Sequence, residues 1–571
     1  MPSGGWRKNT NGGLMRVVFA TALVLAVSAP AFAGQLNVVG MEPAARVISA
    51  PADTAVTIHF SAPVNPATVQ LGQSLSVCGR WSGAATGPLS FSNNDQSVTL
   101  TPAQPFSAGE AVMVVLSHDI QAADTSPLRS AGYSFQFWVN GRLSPRVFSL
   151  LDVLSTRTTP AEGTRAYGGI ASDVNNDGFL DLTIVNEDTA DLRVFLNQAD
   201  RTGLYQDFLQ PTFPVNDRAS PSEPADFNRD GIVDICVANI NTGSVSVLLG
   251  VGDGTFGPQQ QITVGTAPRG IAVLDADGDG DVDIANTNFS SGNVSLLLND
   301  GNGVFGPPTF FEGGGGGEWG LCAADMTNDG ILDLVVGARS PAPGRIIVNR
   351  GNGDGTFTPL TPQSSGGTVW MLVCGDVNGN GTEDVAVANS GTNRGVILLG
   401  DGAGNLAPPV NYDGEAFPIA SDLGDLDGDG DLDWILANYS GDFSIYINNG
   451  AGQFTRVQQI PPAISASCSI MLDIDNDGDL DLCLIDEEAD ELQLFKNSGT
   501  APFPGDADDD CHVALDDHAS FLACMTGPTA CAVVPCYVFD FDDDCDVDGI
   551  DFRSFAGAFT GTGQSIGGCV P

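Results

Sequence analysis

Carboxylates two residues apart, a glycine in the sixth place and an acid in the ninth recur along this chain. The fullest copy is Asp275-Ala276-Asp277-Gly278-Asp279-Gly280-Asp281-Val282-Asp283. A hard cation such as Ca²⁺ takes about six to eight oxygens at short range, and side-chain oxygens at places 1, 3 and 5 with a carbonyl at place 7 wrap one ion. The glycine permits the sharp turn. The candidate ligands are Asp275, Asp277, Asp279, Asp283 and the Asp281 carbonyl. Seven copies begin at Asp173, Asp226, Asp275, Asp325, Asp376, Asp425 and Asp473, at steps of 48 to 53 residues. The further candidate sets are Asp173, Asn175, Asp177 and Asp181, then Asp226, Asn228, Asp230 and Asp234, then Asp325, Thr327, Asp329 and Asp333. Asp376, Asn378, Asn380 and Asp384 follow, then Asp425, Asp427, Asp429 and Asp433, and last Asp473, Asp475, Asp477 and Asp481. One such stretch reads equally well as a polar turn, but seven in phase are one architecture repeated. Thr327 weakens the fourth loop, and Asn378 and Asn380 leave the fifth with less charge. Ions whose coordination sphere the protein fills rigidify hairpins rather than do chemistry.

The elements that must carry these loops are short. In one unit, residues 270–274 lead into the loop, residues 283–286 leave it, and residues 294–298 and an extended Pro-bearing tail follow. That is four strands per unit, with apolar runs too short for helices. Four-stranded units of this length, repeated, predict a propeller, which hides its sheet edges by closing into a ring. The last unit lacks a fourth strand, and residues 146–154 form an orphan strand ahead of the first loop, so that strand is expected to complete the seventh blade.

The order of elements, with Phe256-Gly257-Pro258 and Phe305-Gly306-Pro307 and the equivalent Phe357 and Phe454, resembles the FG-GAP/VCBS repeats of integrin α-subunits and many bacterial exported proteins. Residues 36–140 alternate in short runs divided by Pro, Gly and Asn-Asp turns, which indicates an all-β sandwich. Phe60-Ser61-Ala62-Pro63-Val64, Leu100-Thr101-Pro102 and Phe106-Ser107-Ala108-Gly109 resemble bacterial Ig-like modules of surface-layer proteins, which implies a spacer or adhesion module. His59 and His118 are expected to be structural. In the tail, Asp506, Asp508, Asp510 and Asp517, then Asp540, Asp542, Asp544 and Asp551, each precede a helix-like stretch, 34 residues apart. This pairing resembles a type I dockerin or EF-hand pair, which implies more Ca²⁺ and a cohesin-like partner. Cys511 and Cys545 stand where the glycine belongs, and a disulfide-stapled cap is the alternative.

The expected fold is therefore mainly β: a signal peptide (1–33), an Ig-like sandwich (34–142), a seven-bladed calcium-binding propeller (146–500), a small α-helical dockerin-like pair (505–562) and a tail (563–571). Arg7, Lys8 and Arg16, the apolar run 17–27 and Ala31-Phe32-Ala33 read as a secretory signal, and no other stretch suits a membrane span. An exported or cell-surface protein is expected. The net charge of −48, with no basic footprint, excludes a nucleic-acid partner. Six of the twelve cysteines fall in the last 61 residues and suit disulfides, while the other six are scattered among apolar residues and read as buried free thiols.

The propeller segment has no His, no Gly-x-Ser-x-Gly elbow, no phosphate-cradling loop, and Lys496 as its sole lysine, so the reading leans away from an enzyme. A calcium-assisted polysaccharide lyase or hydrolase on a dockerin-like tether is the alternative, and a structural surface-coat component is another. Six places before each first acid, the inner strands carry Tyr167, Ser220, Arg269, Trp319, Trp370, Ile419 and Ser467. Arg269, Trp319 and Trp370 fall on successive units. With Phe289, Arg339, Arg345 and Arg394 on adjoining connections they outline a face for an anionic, glycan or protein ligand. Plugging of the central channel is the competing role for these side chains.

Overall fold

The computed structural model of the chain describes residues 34–144 and 146–497. The signal-like segment, the dockerin-like acid loops from Asp506 to Asp551 and the six tail cysteines lie outside the described residues. Those described contain no α-helix, only a 3-10 turn at Pro66–Thr68.

From Phe148 to Asn497 the chain forms seven antiparallel sheets of four strands in succession, a propeller-like arrangement. The third is representative: Pro268–Leu274, Asp283–Asn288, Asn293–Leu297 and Thr309–Phe311 pair in that order. The second strand is buried at every position in six of the seven sheets, the first three and the last three. That is why runs such as Trp434-Ile435-Leu436-Ala437 are continuously apolar rather than alternating: neighbouring sheets cover both faces. The first strands pack one against the next, and Ala466–Leu472 packs against Ala166–Ser172, so the circle closes. The fourth sheet adds a short strand, Gln363–Ser364, paired with Arg345–Gly351.

The seam is where the orphan strand was expected. Phe148–Ser155 is the outer strand of the seventh sheet, antiparallel to Glu491–Asn497 with Leu154 opposite Leu492 and Phe148 opposite Asn497. Phe148, Leu151 and Leu154 join the apolar cluster of Leu482, Leu484, Leu492 and Leu494. Two ends of the chain's repeat region thus share one sheet.

The N-terminal module is a sandwich of two four-stranded sheets, one with Val56–Phe60 and Ser97–Leu100 at its centre, the other with Leu75–Gly79 and Ala111–Leu116. Val56, Ile58, Leu100, Val114 and Phe137 fill its core. The spacer role implied by its resemblance is corrected here, because the module is seated on the loop end of the ring. The amide of His118 donates to the Gly278 carbonyl at 2.8 Å, that of Ser134 to Gly330 at 2.9 Å and that of Arg142 to Gly478 at 2.7 Å. The indole of Trp81 enters the ring's apolar interior among Ala171, Leu182 and Ile470.

The cysteine expectation also needs correction. Cys322 and Cys374 are joined in a disulfide, while Cys78, Cys236, Cys468 and Cys483 are free. The partners sit on the first strands of the fourth and fifth sheets, Gly316–Ala324 and Val369–Gly375, whose packing brings their Cα atoms to 6.5 Å. Pairing across 52 residues is a property of the ring, not of either local sequence. The double substitution Cys322→Ser/Cys374→Ser is expected to cost about 2–4 kcal/mol. Thermal melts of the two proteins at equal Ca²⁺ check this, and superimposable melts would contradict it.

Candidate functional site

Each acidic loop joins the first and second strands of its sheet and is braced by its own backbone. In the first loop Asp173 accepts from the amides of Asp177 (3.0 Å) and Gly178 (2.9 Å), and Asp226, Asp325, Asp376 and Asp473 repeat the arrangement. Asp275 and Asp425 accept from their Gly at places 4 and 6 instead. Gly280 has φ +90° and Gly178 φ +85°, the left-handed turn that glycine adopts without strain.

The ninth-place acid does more than the ligand role assigned to it. Asp283 accepts from Ala276 N at 3.0 Å and from Asn299 N at 2.9 Å, so it ties the loop to the end of the third strand. Asp181, Asp234, Asp384, Asp433 and Asp481 do the same. Neighbouring sheets are tied through the same loops. The place-2 carbonyls of Val174, Phe227, Ala276 and Met326 each accept from a glycine of the following sheet: Gly254, Gly303, Gly355 and Gly404. Asn197 in the first sheet donates to the Ile474 carbonyl of the last at 2.8 Å, so a loop contact also spans the seam.

Carboxylate oxygens converge. Asp275, Asp277 and Asp279 each offer an oxygen within 4.8 Å of the others, as do Asp425, Asp427 and Asp433, and Asp473, Asp475 and Asp481. Several oxygens here have no hydrogen donor although buried: Asp475 Oδ1, both of Asp479, Asp333 Oδ2 and Asp277 Oδ1, with Thr327 Oγ1 in the weak fourth loop. Buried acceptors left without donors are costly, and a divalent cation satisfies such a set, so the residues present fit one.

Burial and crowding by like charge push these carboxyls up. Burial first and then neighbouring acids bring Asp275 and Asp473 to about 7 and Asp425 to about 8. Burial also takes Asp181 to about 8, against the amides that hold it ionised. A group whose folded pKa lies above its unfolded value contributes stability that is present at low pH and lost as pH rises through the folded value. Protein stripped of divalent cations is therefore expected to melt higher at pH 5.5 than at pH 8. Saturating Ca²⁺, which needs the ionised acids, should reverse the trend. Melts at both pH values with and without Ca²⁺ check this, and equal metal-free melts would contradict it.

At the far end of the first strands, the structure gathers part of the expected ligand face. Trp319 and Trp370 lie with ring centroids 4.3 Å apart, and Phe289 meets Trp319 at 5.0 Å. The Arg269 guanidinium stacks 4.1 Å from the Trp319 centroid, and that of Arg339 lies 4.7 Å from Trp319 and 4.9 Å from Trp370. Trp370 Nε1 donates to the Tyr167 hydroxyl at 3.2 Å across the channel. Trp319 is only 6% exposed and serves as the cluster's core rather than its surface, which corrects its place on an open face. Arg394 opens the third strand of the fifth sheet and stands 3.7 Å from Asp413 of that sheet's outer strand. Arg345 opens the third strand of its sheet, half-buried. Phe417, 5.1 Å from Trp370, and Tyr439, 6.3 Å from Phe417, extend the cluster and were not anticipated, because they fall outside the six-places-back offset.

Between this cluster and the tip of the Ig-like module lies a cavity of about 120 Å³, bounded by Arg80 and Trp81 at one end and by Tyr167, Arg269 and Trp319 at the other. Arg80 pairs with Glu223 at 3.3 Å inside it.

Comparison with known proteins agrees with both modules. A model of the FG-GAP-like repeat matches residues 173–237, 226–286, 275–336, 376–436 and 425–484, stretches that between them contain all seven loops. A bacterial Ig-like domain model matches residues 33–138. The chain thus carries FG-GAP repeats and an N-terminal bacterial Ig-like domain on a propeller-like fold. Integrin alpha-4 of Xenopus laevis is 28% identical over an alignment of 166 residues, the match covering 24% of this chain and 16% of the integrin, so the chain spans about a sixth of that relative's length. Among solved structures, the WD40 β-propeller domain of Doa1 aligns at TM-score 0.43 and 10% identity, covering 62% of this chain and 98% of that one. BBS1N in complex with ARL6DN aligns at TM-score 0.43 and 14% identity, covering 62% and 99%. Among the described residues, no helix is long and apolar enough to cross a membrane.

Proposed function

We propose that this is an exported, non-catalytic binding protein. Its seven sheets are the blades of one propeller, its acidic loops hold Ca²⁺, and the end of the ring away from the loops takes an extracellular glycan or protein ligand in adhesion. One observation carries the ligand half. In a chain of net charge −48, Arg339 is stacked on three aromatic rings, its basicity is pulled down by burial, and among the described residues it makes no ion pair with an acid. Aromatic faces beside a guanidinium suit a sugar ring or an acidic side chain. The dockerin-like tail, with its cohesin-like partner, belongs to the same reading as a means of attachment.

The lyase alternative needs a base in the channel. Burial raises the Tyr167 hydroxyl to about 12, against the Trp370 hydrogen bond and the Arg269 charge. At neutral pH such a phenol is a poor base. The cavity beside it, about 120 Å³, is smaller than the roughly 300–1,000 Å³ of ordinary ligand pockets. The phenol argues against catalysis there, and the small cavity favours a ligand on the outer rim of the cluster over one inside the ring.

The test is an array of glycans and matrix proteins probed with the purified protein and with Arg339→Ala/Trp370→Ala. Where the parent binds, the variant is expected to lose roughly tenfold or more in affinity, about 1.4 kcal/mol, while its calcium-dependent melt stays close to the parent's. Undiminished binding would place the ligand elsewhere. A melt lower by several kcal/mol, as buried Trp→Ala changes give, would make the cluster a channel plug.

A further inference from the structure

We propose that the Ig-like module is a cap whose docking is linked to cation binding. It seats on the loop end of the ring when the loops are filled and lifts away when they are emptied. The proposal rests on the loops being cation sites.

The contacts the module makes are the argument. It holds the ring mostly through loop backbone, and loop backbone is what a bound cation shapes. His118 N takes the Gly278 carbonyl at place 4 of the third loop, and Ser134 N takes Gly330 at place 6 of the fourth. Arg142 N takes Gly478 at place 6 of the seventh, and Ser144 N takes Asp427 at place 3 of the sixth. The Arg129 guanidinium donates to the Asp329 and Gly330 carbonyls at 2.6 and 2.5 Å. None of these is the place-7 carbonyl, the one a cation in such a loop uses. Through these hydrogen bonds the module and the cation read the same loop conformation without competing for a carbonyl; Arg46, on Asp325, and Arg146, on Asp427, do reach a carboxylate that the cation would use. The third, sixth and seventh loops, whose carboxylates converge, are all gripped by the cap.

The fit is close as well as polar. A Cβ on Gly278 would stand 2.5 Å from the Ala131 carbonyl carbon, and one on Gly428 would stand 2.2 Å from the Arg142 carbonyl oxygen. A loop that relaxes by an ångström when its cation leaves forfeits this seat. The module and the linker behind it also bring positive charge to an acidic surface: Arg46 of the module pairs with Asp325 at 2.8 Å and Arg146 of the linker with Asp427 at 3.0 Å. By linkage, whatever factor Ca²⁺ adds to docking, docking adds to Ca²⁺ affinity.

The experiment uses the full chain. Amide exchange is followed by mass spectrometry over residues 117–144 with Ca²⁺ and with chelator, alongside the cap's core strand Ala111–Leu116 and the rings' second strands. Chelation is expected to speed exchange at the docking amides by roughly tenfold or more while the core strands stay protected. Exchange unchanged by chelation overturns the linkage, and equal acceleration of the second strands would mean collapse of the ring, which overturns it too. Independently, Ca²⁺ titration of Arg129→Ala separates linkage from simple charge. Removing a cation beside the loop should by electrostatics tighten Ca²⁺, whereas losing the cap should weaken it, here by a few-fold or more. Unchanged or tighter binding overturns the proposal. Failure of the parent to bind Ca²⁺ at all overturns the reading of the loops, and with it the cap's linkage.

Discussion

A chain beginning at Thr158 is expected to aggregate or unfold where one beginning at Leu143 stays folded. Both lack the Ig-like module, so they differ essentially by the strand Phe148–Ser155 that closes the seventh sheet. Its loss strips partners from Glu491–Asn497 and uncovers the apolar cluster that Phe148, Leu151 and Leu154 help to fill. Full burial is worth about 1.5–3 kcal/mol for a large apolar side chain; Leu154 is buried and Phe148 and Leu151 partly so, and their joint loss is a sizeable share of the about 5–15 kcal/mol by which proteins are stable. The bared edge is in addition a template for pairing with other chains. Size-exclusion and melting of the two chains decide the matter, and equal behaviour would show that the ring does not depend on this seam.

Removal of Ca²⁺ is expected to have the other large effect. The loops hold each sheet's first hairpin and, through the Val174, Phe227, Ala276 and Met326 carbonyls, the neighbouring sheet as well. A cation held at a hundred times its Kd stabilises the native state by about 2.7 kcal/mol per site. Emptying several such sites also leaves buried carboxylates repelling one another, which weakens the ring without unfolding it at room temperature. Chelation should lower the melting temperature by roughly 10 °C or more, and restored Ca²⁺ should recover it. A melt indifferent to thorough chelation would contradict this.

Much of the architecture was legible because it repeats. The step of 48 to 53 residues, the loop spacing and the missing fourth strand of the last unit all sit in local sequence, and strand pairing obeys local alternation. What escaped is what only closure creates. Cys322 and Cys374 meet because the fourth and fifth first strands are neighbours in the ring. The cap's grip uses backbone amides from His118 to Ser144, which leave no residue signature. One missed feature did leave a signal. Thirteen residues after the first acid stand Asn186, Asn239, Asn288, Asn389, Asn438 and Asp486, with Ala338 in the fourth sheet. These close the second-to-third turn or the incoming strand: Asn239 accepts from Asn216 N and Asp486 from Ser465 N. A search for polar residues in phase with the loops would have found them. The ligand face was half legible, since counting back six places found Trp319 and Trp370 but not that stacking would bury the first of them.

The count of Ca²⁺ ions that remain with the protein after dialysis, by elemental mass spectrometry, tests the loops most directly. The same count is made on Asp277→Ala/Asp427→Ala/Asp475→Ala, which removes a ligand oxygen from each of the three loops whose carboxylates converge. The parent is expected to retain at least three ions per chain, and the triple variant three fewer. A parent that retains fewer than one, or a variant that retains as many as the parent, would contradict the account.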